Sequence, residues 1–163
     1  MESFRKLVLF AWCVAGAVHA APPPASMELR YDRLASALTL LSDSDRKIVN
    51  DAAQLIRQGE NLGALARLSS LAQSNPDNSS LRILMAYAQL QLGNLTGALD
   101  EAKKAHEAPN GNSYRCYFLA KVAFLTGDKV TCKRELTHAK NAGDMKDDVR
   151  ELETELKASK SGS

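Results

Sequence analysis

Cysteine and histidine are the side chains in this sequence that could do chemistry. Beyond residue 20 they are Cys116, Cys132, His106 and His138. Paired cysteines can form a disulfide in an oxidising compartment, and histidines can bind zinc together with cysteines or carboxylates. The spacing of these four residues matches no zinc-binding motif, and the sequence holds no nucleophile motif or phosphate-binding loop. We therefore expect a protein that is not an enzyme and that carries no metal or cofactor.

Glycines mark the elements that must position these residues. Gly59, Gly93 and Gly127 are 34 residues apart without a gap. Small residues recur seven positions before and five positions after each glycine, at Ala52, Ala64, Ala86, Ala98, Ala120 and Cys132. Glycine suits a sharp chain reversal, and small side chains let paired helices approach closely. The period therefore indicates a stack of helix-turn-helix units.

The pattern resembles the tetratricopeptide repeat family, with units over residues 45–78, 79–112 and 113–146. The residues that carry the resemblance are Ala52, Gly59, Ala64, Leu68, Leu71 and Pro76, then Ala86, Gly93, Ala98, Ala105 and Pro109, then Leu119, Ala120, Gly127, Leu136 and Ala139. Where the family has tryptophan this chain has Ile48, Arg82 and Cys116, and where it has tyrosine this chain has Leu55, Gln89 and Ala123. The resemblance implies an all-α fold, a right-handed α-solenoid of three helix-turn-helix repeats with N-terminal and C-terminal capping helices.

The resemblance also implies where a partner would bind. In such an array the first helix of each unit lines a concave groove, and the second helix lies outside. The residues that this places in the groove are Val49, Ala53, Arg57, Ile83, Tyr87, Gln91, Tyr117 and Lys121. We expect a groove that is apolar and aromatic at its centre and third-unit end, suited to an apolar peptide or helix. Helical spacing leaves open whether Tyr87 and Tyr117 face the groove or the core.

The third unit separates its two cysteines. Cys116 lies early in the first helix and Cys132 early in the second, so antiparallel packing would put them near opposite ends of the hairpin. A disulfide needs α-carbons within roughly 7 Å. We therefore expect free thiols, with Cys132 acting as an alanine-sized core residue and a redox role as a remaining hypothesis. Both histidines fall on outer second helices, where we expect them to be surface residues.

The first 20 residues have the pattern of a secretory signal peptide. Arg5 and Lys6 precede the apolar run over residues 7–18, and small residues lead to a cleavage site after Ala20. A membrane anchor is the alternative, but the run is about a dozen residues long and a spanning helix needs roughly 17–25. We expect export to the periplasm or secretion, followed by cleavage, and no stable membrane insertion of the mature chain.

The termini of the mature chain are expected to flank the array. Residues 21–26 would form an extended leader, and the apolar stripe from Met27 to Leu41 predicts an N-terminal helix and connector over residues 27–44 that covers the start of the array. Residues 144–158 place Met145, Val149 and Leu152 on one face, which predicts a C-terminal capping helix. We expect residues 159–163 to be disordered.

Charge and pattern together favour a protein-binding function. The formal net charge is +2, and loss of the first 20 residues would bring it closer to neutrality. Nucleic-acid binding needs a clustered basic face, so we expect a protein or peptide partner instead. The expected function is a non-enzymatic interaction module that acts outside the cytoplasm. The alternative is a structural subunit of an envelope or secretion assembly, with contacts on the convex face or the end helices.

Overall fold

The computed structural model describes residue 27, residues 29–109 and residues 111–161. The predicted signal peptide (1–20) and extended leader (21–26) lie outside the described residues. All regular elements of the described chain are helical, as expected. After a 3-10 helix (Tyr31–Arg33), the α-helices are α1 (Ala35–Leu38), α2 (Asp43–Arg57), α3 (Asn61–Ser74), α4 (Ser79–Gln91), α5 (Leu95–Glu107), α6 (Tyr114–Leu125), α7 (Lys129–Ala142) and α8 (Lys146–Ser161).

Helices α2 to α7 form a series of hairpins whose turns contain the periodic glycines. Gly59, Gly93 and Gly127 have φ of 80°, 74° and 81°. This left-handed backbone is easy for glycine and costly for residues with a Cβ atom. The prediction that the three glycines mark the turns is confirmed.

The hairpins stack in chain order, because α3 packs on α4 and α5 packs on α6. Each helix pair meets through the small side chains of the repeated pattern. Ala52, Ala64, Ala86, Ala98, Ala120 and Cys132 have no solvent-exposed surface. The buried apolar residues of neighbouring hairpins join in one core, so each hairpin covers apolar surface that its neighbour could not bury alone.

Side-chain caps define where the helices of the array begin. The Ser42 side chain accepts a hydrogen bond from the Asp45 backbone N–H at the start of α2. Asn78 does the same for Leu81, Asn94 for Gly97, and Asp128 for Thr131. These oxygens satisfy backbone donors that have no partner within the first turn of a helix. Ser42 is thus the N-cap of α2.

The N-terminal segment, which is residue 27 with residues 29–41, differs from the predicted single helix over 27–44. It contains the 3-10 helix and the four-residue α1, separated and followed by turns. Its buried residues are Leu29, Leu34, Ala37 and Leu41. The three leucines belong to the main core. Side chains of the array bind backbone carbonyls of this segment, as described below.

Helix α8 packs on α6 and α7 as the predicted C-terminal cap. Its apolar face is buried at Val149, Leu152 and Leu156, and Met145 just before it is also buried. The helix begins at Lys146 and continues to Ser161, so residues 159–161 are helical and not part of a disordered tail. Residues 162 and 163 lie outside the described chain.

Candidate partner-binding face

The predicted groove residues lie on the side of the array formed by α2, α4 and α6, which we call the inner face. Most of them are covered. Val49, Ala53, Ile83, Tyr117 and Lys121 are buried, Tyr87 and Gln91 are half-buried, and Arg57 is exposed. The helical period places these residues on one face, but five of the eight are buried and do not line an open groove.

The N-terminal segment covers the α2 and α4 part of the inner face. The Tyr31 hydroxyl donates to the backbone carbonyl of Ala53 at 3.4 Å, and the Arg57 guanidinium lies 5.4 Å from the centre of the Tyr31 ring. The Tyr87 hydroxyl donates to the Met27 carbonyl at 3.3 Å. Arg57 and Tyr87 therefore contact the chain's own N-terminal segment.

Polar side chains of the array hold the backbone of this segment. The Ser80 hydroxyl donates to the Leu34 carbonyl at 2.9 Å, and the Asn78 amide donates to the Ala37 carbonyl at 2.9 Å. The Asn112 amide donates to the Arg33 carbonyl at 2.6 Å. Each bond satisfies a carbonyl that an ordinary helix would pair internally. The inner face thus binds polypeptide by its backbone as well as by its apolar side chains.

The aromatic cluster at the third hairpin is buried. Tyr114 stacks on Tyr117 with ring centres 6.2 Å apart and meets Phe118 edge-on at 6.0 Å. The Arg30 backbone N–H donates to the Tyr114 hydroxyl oxygen at 3.2 Å, and the Arg30 guanidinium pairs with Asp148 of α8 at 3.1 Å. Burial raises the pKa of both tyrosines, so their hydroxyls stay neutral. The predicted aromatic end of the groove is therefore part of the core.

Lys121, predicted to line the groove, forms an ion pair with α8. Its side chain is 1% exposed, and its Nζ lies 2.8 and 2.7 Å from the two carboxylate oxygens of Glu155. A buried ammonium needs such a partner because desolvation of an unpaired charge is costly.

An open cleft of about 750 Å³ adjoins the α6 end of the inner face, where Glu155 of the cleft pairs with Lys121. It lies between the 3-10 helix region and α8. Its lining residues are Arg30, Arg33, Asp144, Lys146, Asp147, Asp148, Arg150, Glu151, Thr154 and Glu155. This cleft is therefore charged and hydrophilic, unlike the apolar groove that the sequence predicted.

A second accessible surface lies at the turn ends of the second helices. Leu62 at the start of α3, Leu95 at the start of α5 and Val130 at the start of α7 are exposed, with Leu62 at 72% and Val130 at 77%. Leu62 and Val130 occupy the same register in the first and third hairpins. We call these three residues the turn edge.

Three residues on the second helices come together in a way that the sequence analysis missed. His106 of α5 and Glu135 and His138 of α7 place one ring nitrogen or carboxylate oxygen each within 4.8 Å of one another. Burial opposes ionisation of Glu135, but hydrogen bonds from Arg134 and His138 and the charges of the two histidines lower its pKa. The spacing of Glu135 and His138, which are three residues apart on one helix, could have predicted that these two side chains lie close together. His106 could not be placed without the packing of α5 against the third hairpin.

Both described cysteines are free thiols. Cys132 is fully buried and serves as the predicted alanine-sized residue between helices. Burial raises the pKa of both Cys116 and Cys132, and the carboxylates of Glu135 and Asp128 act in the same direction. Raised pKa values favour the neutral thiol, which is a poor nucleophile, so the redox hypothesis gains no support.

Part of the chain matches a known protein family. Residues 55–114 match a family model described as tetratricopeptide repeat, a range that runs from the end of α2 to the start of α6. No curated protein matches the chain. Among the described residues, no helix combines the length and the apolar character that crossing a membrane requires.

Proposed function

Since the chain is a tetratricopeptide repeat protein, we propose that it is a non-enzymatic interaction module that binds a peptide or partner protein on its inner face, outside the cytoplasm. The observation that carries the proposal is that the inner face already binds a polypeptide. Side chains of Asn78, Ser80 and Asn112 donate to carbonyls of the N-terminal segment, while its Leu29, Leu34 and Leu41 enter the core. These contacts are of the kind that would recognise a segment of another protein.

The cleft beside the N-terminal segment is where the partner would contact this face. A partner segment that lay alongside residues 30–33 would meet α8 and its exposed side chains, among them Arg150, Glu151 and Thr154. Charges of both signs in the cleft would fix the register and orientation of the partner. The chain's small net charge offers no general attraction for nucleic acid.

Substitutions in the cleft test the proposal. We expect Glu151→Lys combined with Thr154→Lys to weaken partner binding at least about tenfold, because reversed charge at an interface costs more than the 1.4 kcal/mol of a tenfold change. The partner is first captured from the native host with the unmodified protein, and its affinity for each variant is then measured with purified components. Leu62→Ser combined with Val130→Ser is the control and should bind normally.

The turn edge supports a second candidate, a structural subunit of a larger assembly. Exposed apolar residues at the same end of successive hairpins could form a contact for another subunit, and Leu62, Leu95 and Val130 lie at the starts of α3, α5 and α7. This candidate predicts the opposite outcome of the same experiment: the turn-edge variant would lose the partner, and the cleft variant would retain it.

Export through residues 1–20 is part of the proposal. Its support is the basic start, the apolar run and the small residues before Ala21. N-terminal sequencing of protein purified from the native host should begin at Ala21, and cell fractionation should recover the protein in the periplasm or the medium. An intact Met1 terminus in the cytoplasm would contradict this part.

A further inference from the structure

The second helices of the second and third hairpins carry a cluster of metal-ligating groups on their outer side. The Nε2 atom of His106 lies 2.8 Å from the Oε2 atom of Glu135, and the Nδ1 atom of His138 lies 3.1 Å from the same oxygen. The two imidazole rings are nearly parallel, with centres 6.5 Å apart and planes at 17°. One carboxylate oxygen and two ring nitrogens thus point at a common region.

From this geometry we propose that His106, Glu135 and His138 form a zinc-binding site that joins α5 to α7. Histidine nitrogen and carboxylate oxygen bind Zn²⁺ at roughly 2.0–2.2 Å, which puts tetrahedral ligand atoms roughly 3.3 Å apart. The two nitrogen–oxygen separations, 2.8 and 3.1 Å, are close to this spacing, and the two histidine nitrogens lie within 4.8 Å of each other, so side-chain shifts would admit the ion. A solvent molecule would complete the coordination.

Burial of the three side chains fits an ion that enters from solvent. The Glu135 side chain is 1% exposed, that of His106 is 29% exposed and that of His138 is 51% exposed. The carboxylate lies at the bottom and the two imidazoles lie at the rim. Arg134 donates to Oε1 of Glu135 at 2.6 Å and leaves Oε2 facing the histidines. Such a partner orients a carboxylate ligand.

Comparison with the preceding hairpin shows what is unusual about this cluster. One period before Glu135 is Glu101, which is also buried and which pairs with Arg82 at 3.1 Å and Lys104 at 2.7 Å. The residues that follow Arg82 and Lys104 by one period are Cys116 and His138.

In the third hairpin, therefore, groups that can ligate metals stand where the preceding hairpin has Arg82 and Lys104. Arg134 is the permanent cation that pairs with Glu135, through Oε1. A divalent cation on Oε2 would supply the second positive partner that the glutamate of the preceding hairpin has.

Metal titration of the purified, untagged protein tests the proposal. After treatment with a chelator, the protein should bind about one Zn²⁺ per chain in isothermal titration calorimetry. His106→Ala and His138→Ala should each weaken binding by more than the roughly 10–100-fold that loss of an outer-sphere partner costs. Lys104→Ala is the matched control, because it changes the equivalent position of the preceding hairpin and should leave zinc affinity unchanged.

A second measurement separates loss of the site from loss of the fold. Zinc should raise the melting temperature of the unmodified protein and of Lys104→Ala, because a ligand stabilises the state that binds it. It should leave both histidine variants unchanged, while circular dichroism shows that they remain helical. The proposal is overturned if the unmodified protein does not bind zinc, or if both histidine variants bind it as tightly as the unmodified protein.

Discussion

At the scale of single residues, Lys121 shows how far the sequence could be interpreted. The repeat period placed it on the inner face, which is where it lies, but its ammonium is buried against Glu155. Glu155 follows Lys121 by one 34-residue period, so a register extended into α8 would have brought the two together. The period alone could not predict that Lys121 is buried, because burial depends on which other segment of the chain covers the side chain.

The two partners of this ion pair differ in solvent exposure, and this difference gives a prediction. Glu155→Ala should destabilise the protein by about 3 kcal/mol, because it leaves a buried ammonium without a partner. Lys121→Met should cost at most about 1 kcal/mol, because the remaining Glu155 side chain is 27% exposed and can be hydrated. Urea denaturation of both variants measures the difference. Equal costs, or a larger cost for Lys121→Met, would show that the lysine is not held as described.

At the scale of elements, the sequence predicted the array well and its N-terminal flank poorly. The turns at Gly59, Gly93 and Gly127 lie where the pattern placed them, because left-handed backbone and close helix contact impose local demands on residue type. The helix predicted over residues 27–44 does not form as one element. Its apolar stripe is present, but turns interrupt the segment at Leu34 and after Leu38, where the Asn78 amide donates to the Ala37 carbonyl.

Two glycines should respond in opposite ways to the same substitution. Gly127→Ala should destabilise the protein by about 1–2 kcal/mol, because φ is 81° there. Gly63→Ala should stabilise it by about 0.5–1 kcal/mol, because Gly63 is helical and an added Cβ would meet only Leu55 Cδ1, at 3.6 Å. Thermal and urea unfolding measure both. A stabilising Gly127→Ala would mean that the turn does not have the described backbone.

At the scale of the whole molecule, the N-terminal segment and α8 decide which surfaces a partner can contact. The period correctly grouped Val49, Ile83 and Tyr117 on one face, yet these residues are buried. What remains accessible is the charged cleft between residues 30–33 and α8. The sequence could not show this, since it required knowing that residues far from the array's centre return to cover it.

The N-terminal segment should therefore contribute strongly to stability. Leu34 is 1% exposed and Leu40, in the same segment, is 64% exposed. Leu34→Ala should cost about 3 kcal/mol through lost burial and a cavity, whereas Leu40→Ala should change stability by less than about 0.5 kcal/mol. Urea denaturation compares the two. If Leu34→Ala is as mild as Leu40→Ala, the segment does not pack on the inner face as described.

The central claim is that a protein partner contacts the inner face in the cleft along α8. Site-specific photo-crosslinking in the native host tests it most directly, with a photoreactive amino acid placed at Thr154 in the cleft or at Val130 on the turn edge. Both positions are exposed, so the probes should not disturb the fold. The account predicts a crosslinked partner from position 154 and none from position 130. Crosslinking from position 130 alone would contradict it and favour the assembly subunit.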